Sequence, residues 1–139
     1  MKKVSAEEKK AVLAMSPDDY MNEAQQAFFR RLLEEERAGL LAHIEELKDQ
    51  LQPANESGDE GDIASREEHL RMLLRQIDRE SRLLPKFDAA LHRMRSGDYG
   101  YCMETGEPIG LERLMLRPTA ELSIDAKLKQ EQKEGHYRK

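Results

Sequence analysis

Leu33, Leu40 and Leu47 recur at a spacing of seven residues, and Phe29, Ile44 and Leu51 fill a neighbouring row. That period keeps side chains on one flank of an α-helix, so the rows predict a long amphipathic helix whose apolar stripe needs a partner. The partner comes next in the chain. Leu70, Ile77, Leu84 and Leu91 carry the same repeat, with Leu73, Phe87 and Met94 at the companion positions and Glu80 interrupting that row. Between the stripes runs Gln52-Pro53-Ala54-Asn55-Glu56-Ser57-Gly58-Asp59-Glu60-Gly61, a short connection rich in helix breakers. Two long helices joined in this way fold back antiparallel, seam against seam. With about 25 residues in each arm and about 1.5 Å per residue, the rod spans about 35–40 Å.

Local signals place the ends. Ser5 and Glu8 have the spacing of a capping box and predict a short helix over 6–14. Ser16-Pro17-Asp18-Asp19 reads as the start of the long helix: Ser16 caps, Pro17 suits the first position, and the aspartates face the positive end of the dipole. Pro85 lies inside the second arm, where it lacks an amide donor and clashes with the carbonyl of Ser81, so a kink or break is expected there. After Met94 the texture changes. Ser96-Gly97-Asp98-Tyr99-Gly100-Tyr101 ends the arm, and Gly106, Pro108, Gly110 and Pro118 punctuate a region of short extended pieces. Residues 123–134 read as helix again, closed by Gly135.

Composition narrows the class. Of 139 residues, 38% are hydrophobic and 37% charged, which suits solvated helices that each bury one stripe. A net charge of −5 weighs against direct DNA binding, because duplex recognition begins with phosphate neutralisation. A single Cys excludes an internal disulfide, and no apolar stretch resembles a secretory signal or a membrane span. A soluble, cytoplasmic monomer is expected, since the short seam is consumed within the hairpin. His43, His69, His92 and His136 are scattered and form neither a nucleophile arrangement nor a ligand cluster, so the chain does not read as an enzyme.

The only cysteine sits in a telling frame. Cys102-Met103-Glu104-Thr105 is followed, after seventeen residues, by Ser123-Ile124-Asp125-Ala126. Two C-x-x-C knuckles at about that separation hold zinc in a four-cysteine ribbon. Here Thr105, Ser123 and Ala126 occupy three of the four positions, and one thiolate cannot hold a structural ion. No metal is therefore expected. The globule must fold on packing instead, with Met103, Ile109, Leu111, Leu114, Met115, Leu116, Leu122, Ile124 and Leu128 as its expected core. The expected fold is mainly α: an N-terminal helical segment over 1–32 that joins the globule, a coiled-coil hairpin over 33–94 with its tip near 52–64, and a degenerate zinc-finger region with a C-terminal helix over 95–139.

The residues around this frame carry a resemblance. Tyr99-Gly100-Tyr101-Cys102, Gly106-Glu107-Pro108-Ile109-Gly110, Glu112-Arg113-Leu114 and Leu116-Arg117-Pro118-Thr119-Ala120 resemble the C-terminal zinc region of the DksA/TraR family. Tyr20-Met21-Asn22-Glu23-Ala24-Gln25 resembles the start of that family's coiled coil, and Asp59-Glu60-Gly61-Asp62-Ile63-Ala64 fits its D-x-x-D-x-A tip. The resemblance implies a transcription regulator that inserts its coiled coil into the secondary channel of RNA polymerase and modulates initiation. Asp59, Asp62 and Ala64 would form the functional tip, two carboxylates on a narrow rod suiting a cavity rich in magnesium and arginine. A second reading of the same residues is structural: Asp62 or Ser65 caps the second arm, with Ser65 and Glu68 spaced as a capping box.

Members of that family also respond to guanosine tetraphosphate (ppGpp) bound at the polymerase interface. The matching positions are Leu83, Lys86, Arg117 and Lys127, which the resemblance brings together near the base of the rod; three cations suit a tetraphosphate. Arg79 is a further polymerase contact by the same resemblance. Two other functions fit parts of the pattern. A Gre-type factor would cleave backtracked transcripts through tip acids holding a second magnesium, and a structural coiled coil would pair with an unrelated partner.

Overall fold

Ser5 Oγ accepts from the Glu8 N–H at 3.1 Å and starts α1 (Ala6–Leu13). The computed structural model describes residues 4–51 and 60–137. Within them the chain continues through a 3-10 turn (Pro17–Asp19), α2 (Glu23–Asp49), α3 (Glu60–Ser81), α4 (Leu84–Ser96), α5 (Leu111–Leu116) and α6 (Ile124–Tyr137). Tyr101 and Pro108 pair as an isolated antiparallel bridge, and the described residues form no strand. No described helix is long and apolar enough to cross a membrane.

The long helix begins later than Ser16-Pro17 suggests. Ser16 Oγ caps only the single 3-10 turn, accepting from Asp18 N–H at 3.3 Å. Met21 then adopts φ 57°, a costly conformation for a side chain with a Cβ. Neighbouring amides hold it there. The Met21 N–H donates to Gln25 Oε1 and the Met21 carbonyl accepts from Gln26 Nε2, both at 2.6 Å. Asn22 Oδ1 accepts from the Gln25 N–H at 2.8 Å, which caps α2. The Met21 side chain lies against Gly100, where a Cβ would meet the Met21 Cγ and Sδ at 3.0 Å. Gly100, at φ 92°, therefore cannot be replaced without displacing Met21.

The chain divides into two compact units. One comprises Met1–Glu35 with Phe87–Lys139, the other Glu36–Lys86. In the second, Ile44 and Leu47 on α2 and Leu73 on α3 are buried, whereas Leu70, expected on the seam, is 38% exposed. Glu80, which interrupts the heptad row, approaches His43 across the helix pair, Nε2 to Oε1 3.9 Å. Pro85 has the expected effect: α3 stops at Ser81, the Leu83 N–H donates to Glu80 O at 3.1 Å, and α4 opens with Pro85 in its first turn, where no donor is missed.

In the first unit the core is drawn from the whole of its chain. Phe29, Leu33 and Leu114 are fully buried, joined by Val12, Phe28, Leu32, Ala90, Met94, Tyr99, Cys102, Ile109, Ala120 and Ala126. Four residues expected in this core lie outside it: Met103, Leu116, Ile124 and Leu128 are 65%, 89%, 57% and 52% exposed. Their places are taken by aromatic and aliphatic side chains of α2 and by small alanines. Two helix boundaries also differ from expectation. α5 forms where extended pieces were expected, and α6 runs through Gly135 to Tyr137.

Tyr20 ties the start of α2 to the loop region. Its hydroxyl donates to Gly100 O at 2.6 Å and accepts from the Gly110 N–H at 3.0 Å, and its ring meets Tyr101 edge to face at 5.6 Å. Burial pushes the phenol above its ordinary range, so it stays a donor at neutral pH. Tyr20→Phe keeps the ring and leaves both backbone groups without this partner. It should lower the stability of the unit by about 1–3 kcal/mol, measured by denaturant unfolding.

Candidate functional site

The loops after α4 bring the two halves of the cysteine frame together. The Met103 N–H donates to Glu121 O at 2.9 Å, and the Cys102 N–H donates to Glu107 O at 2.7 Å. Cys102 is 3% exposed, and Ala126 is buried in the same cluster. Burial pushes the Cys102 thiol up, but a hydrogen bond from the Thr105 hydroxyl and the N–H groups of Ser123, Thr105 and Glu104 outweigh it and bring it down to about 6. The knuckle backbone thus still wraps a sulfur with amide donors.

The four positions do not suit zinc. Thr105 Oγ1 accepts from the Glu107 N–H at 3.2 Å and Ser123 Oγ accepts from the Ala126 N–H at 3.2 Å, so both hydroxyls close turns. Ala126 presents a methyl where a ribbon would present a ligand. A tetrahedral zinc needs four good donors and this set supplies one thiolate. Among the described residues no group of three or more His, Cys, Asp or Glu has metal-holding geometry.

What holds the second half of the frame instead is a set of side-chain donors aimed at backbone carbonyls. Tyr99 Oη donates to Pro118 O at 2.8 Å, and Arg113 Nε donates to Leu122 O at 2.9 Å. Arg93, 8% exposed on α4, reaches Thr119 O at 3.5 Å through Nη2 and Glu121 Oε1 at 3.2 Å through Nη1. These residues escaped the sequence reading. Tyr99 and Arg113 lay inside motifs carrying the resemblance, whereas Arg93 shows no local signal, because a helical Arg ordinarily faces water.

The expected functional residues fall in both units. Asp59 lies outside the described residues. Asp62 and Ala64 are exposed in the first turns of α3, which already runs from Glu60. Ser65 is therefore inside the helix and cannot be its N-cap, so the capping-box reading with Glu68 fails; nor can Asp62 cap a helix that begins before it. Arg79 is exposed in the last turn of α3, Leu83 is 37% exposed in the turn before α4, and Lys86 is exposed in the first turn of α4. In the other unit, Arg117 is exposed just after α5, and half-buried Lys127 on α6 donates to Gln130 Oε1 at 3.4 Å.

Comparison with known proteins decides the family. The family model for the N-terminal domain of the DnaK suppressor protein DksA matches residues 25–94, and the prokaryotic dksA/traR C4-type zinc finger matches residues 97–132. The chain belongs to the DksA family. The RNA polymerase-binding transcription factor DksA of Caulobacter vibrioides is 40% identical over 122 residues, which is 87% of this chain and 86% of that protein. The protein of the same name from Escherichia coli is 41% identical over 111 residues, 79% of this chain and 74% of its own length. The solved structure of transcription factor DksA2 from Pseudomonas aeruginosa superposes with a TM-score of 0.84 at 52% identity, covering 92% of this chain and 99% of that one. The DksA fold is thus present here with a C4-type finger region that retains one cysteine.

The thiol environment makes a direct prediction. The folded value of about 6 lies below the ordinary cysteine value of about 8.5, so the thiolate adds stability that is present above the unfolded value and lost as pH falls through the folded one. A titration of thiolate ultraviolet absorbance should show a midpoint near 6, and Thr105→Val should move it upward. A midpoint at the ordinary value would refute the described hydrogen bonds.

Proposed function

We propose that this chain is an RNA polymerase-binding transcription regulator, not an enzyme, that inserts the start of α3 and the connection before it into the secondary channel. The carrying observation is family membership over both halves of the chain, with Asp62 and Ala64 exposed on the first turns of a long helix pair. The relatives are named as RNA polymerase-binding transcription factors, which supports polymerase as the partner. Asp59, Asp62 and Ala64 act at the tip, with Arg79 as a further polymerase contact. A rod of this kind delivers carboxylates to a site that a globular surface cannot enter.

Response to ppGpp belongs to the same reading. Leu83, Lys86, Arg117 and Lys127 are the residues that contact the nucleotide in the polymerase complex. Cations supply charge-assisted hydrogen bonds to its phosphates, Arg117 bidentately. The regulator works without structural zinc, supported by the donor set at Cys102, Thr105, Ser123 and Ala126. This suits action when zinc is scarce or oxidants attack thiolates.

In vitro transcription from a ribosomal RNA promoter, with and without ppGpp, tests the reading. The wild type should inhibit, and ppGpp should deepen the inhibition. Asp62→Asn should bind polymerase yet inhibit at least tenfold less; equal inhibition by the variant would remove the tip assignment. Lys127→Ala should abolish the increment that ppGpp adds, and an undiminished increment would remove Lys127 from the site.

A further inference from the structure

The segment 117–123 is the path by which the chain passes from α5 to α6. It begins at Arg117 and its last carbonyl, Ser123 O, accepts from the Lys127 N–H at 2.9 Å. Two of the proposed ppGpp cations therefore stand at the two ends of one irregular stretch. Such a stretch has no ladder of its own to fix it, so its position depends on outside donors. A metal ribbon would fix it through ligands at 123 and 126, and those are a serine already closing a turn and a methyl.

Arg93 is placed to do this work. It is the one buried cation in the unit's core surroundings among the described residues, its side chain 10% exposed, whereas its partner Glu121 is 48% exposed. A buried guanidinium is costly unless paired, so Arg93 depends on Glu121 and Thr119 O as its partners. The pairing crosses from α4 to the middle of the segment, and the same side chain also reaches Thr119 O. Tyr99 and Arg113 hold the flanking carbonyls of Pro118 and Leu122, and the Met103 N–H holds Glu121 O. Among the described residues, Arg93 is the one whose side chain holds the segment both by a charge pair and by a bond to a backbone carbonyl.

We propose that Arg93 is a positioning residue for the ppGpp response: through Glu121 and Thr119 it fixes the 117–123 segment, and thereby Arg117 and Lys127, in place of a metal. This rests on the ppGpp reading above. Arg93 itself touches no ligand.

The test uses the full-length protein with polymerase. In Arg93→Ala the ppGpp concentration for half-maximal effect should rise about tenfold, while inhibition without ppGpp stays within about twofold of wild type, tenfold being about 1.4 kcal/mol. Arg93→Lys should recover part of the shift, and the exchange Arg93→Glu with Glu121→Arg should recover more than either single change. Amide hydrogen exchange of the free protein reads position separately: Arg93→Ala should speed exchange at Met103 and Lys127 and leave the Gln26 amide of α2 unchanged. A uniform rise across the unit, or parallel loss of ppGpp-free inhibition, would reduce Arg93 to a general stabiliser and overturn the proposal. Unchanged exchange at Met103 and Lys127 would overturn it as well. If wild type ignores ppGpp altogether, the underlying reading fails, and the exchange data still decide whether Arg93 positions the segment.

Discussion

The backbone between Gly97 and Ser123 has to find hydrogen-bond donors without a sheet, with only the six-residue α5 inside it, and without a suitable metal site. Everything else in the first unit is arranged around that need. Tyr20 reaches in from the start of α2, Tyr99 from the loop itself, Arg93 from α4 and Arg113 from α5. Each donor is a long side chain, and Arg93 and Tyr99 are themselves buried. A net hydrogen bond contributes only about 0.5–1.5 kcal/mol, but a buried group left without one costs about 1–3 kcal/mol, so the set is held by the penalty for breaking it. The backward turn at Met21 belongs to the same arrangement. It directs Tyr20 toward Gly100 and Gly110, and the Gln25 and Gln26 amides keep it in place.

The helix pair was legible because its information is local and periodic. Leu47, Ile44 and Leu73 are buried as the seven-residue repeat implies, and Pro85 breaks the second arm where its missing amide dictates. The globular core was less legible. Leu116, Ile124 and Leu128 look like core residues by hydropathy, yet the space is filled by Phe28, Phe29, Leu32 and Leu33, which lie 83 to 100 residues earlier in the chain. Hydrophobicity within a window cannot register volume supplied from that distance. The start of α2 departs from the capping signal for a related reason: Ser16-Pro17 is a sound cap, but tertiary contacts at Met21 limit it to one turn.

The site shows the same division. The spacing of Cys102 and Ser123 exposed the frame, and residue chemistry alone showed that zinc does not suit it. The role of Arg93 could not be read from sequence, because it becomes a structural donor only when α4 and the 119–121 stretch are side by side. The amide groups that would surround a metal-bound sulfur surround a free thiol here, with Ala126 packed beside it in the core. The fold common to the DksA relatives thus persists with several side-chain donors holding the backbone around the cysteine frame.

The donor set around Cys102 leads us to propose that protein groups, not a metal, hold the globular unit. Native mass spectrometry of the purified protein, together with thermal melting in zinc-supplemented buffer and in a strong chelator, tests it most directly. The expected outcome is the mass of the bare polypeptide and the same melting temperature in both buffers. Stoichiometric zinc in the mass, with a melting temperature that falls when the chelator removes it, would mean that a metal holds the unit after all.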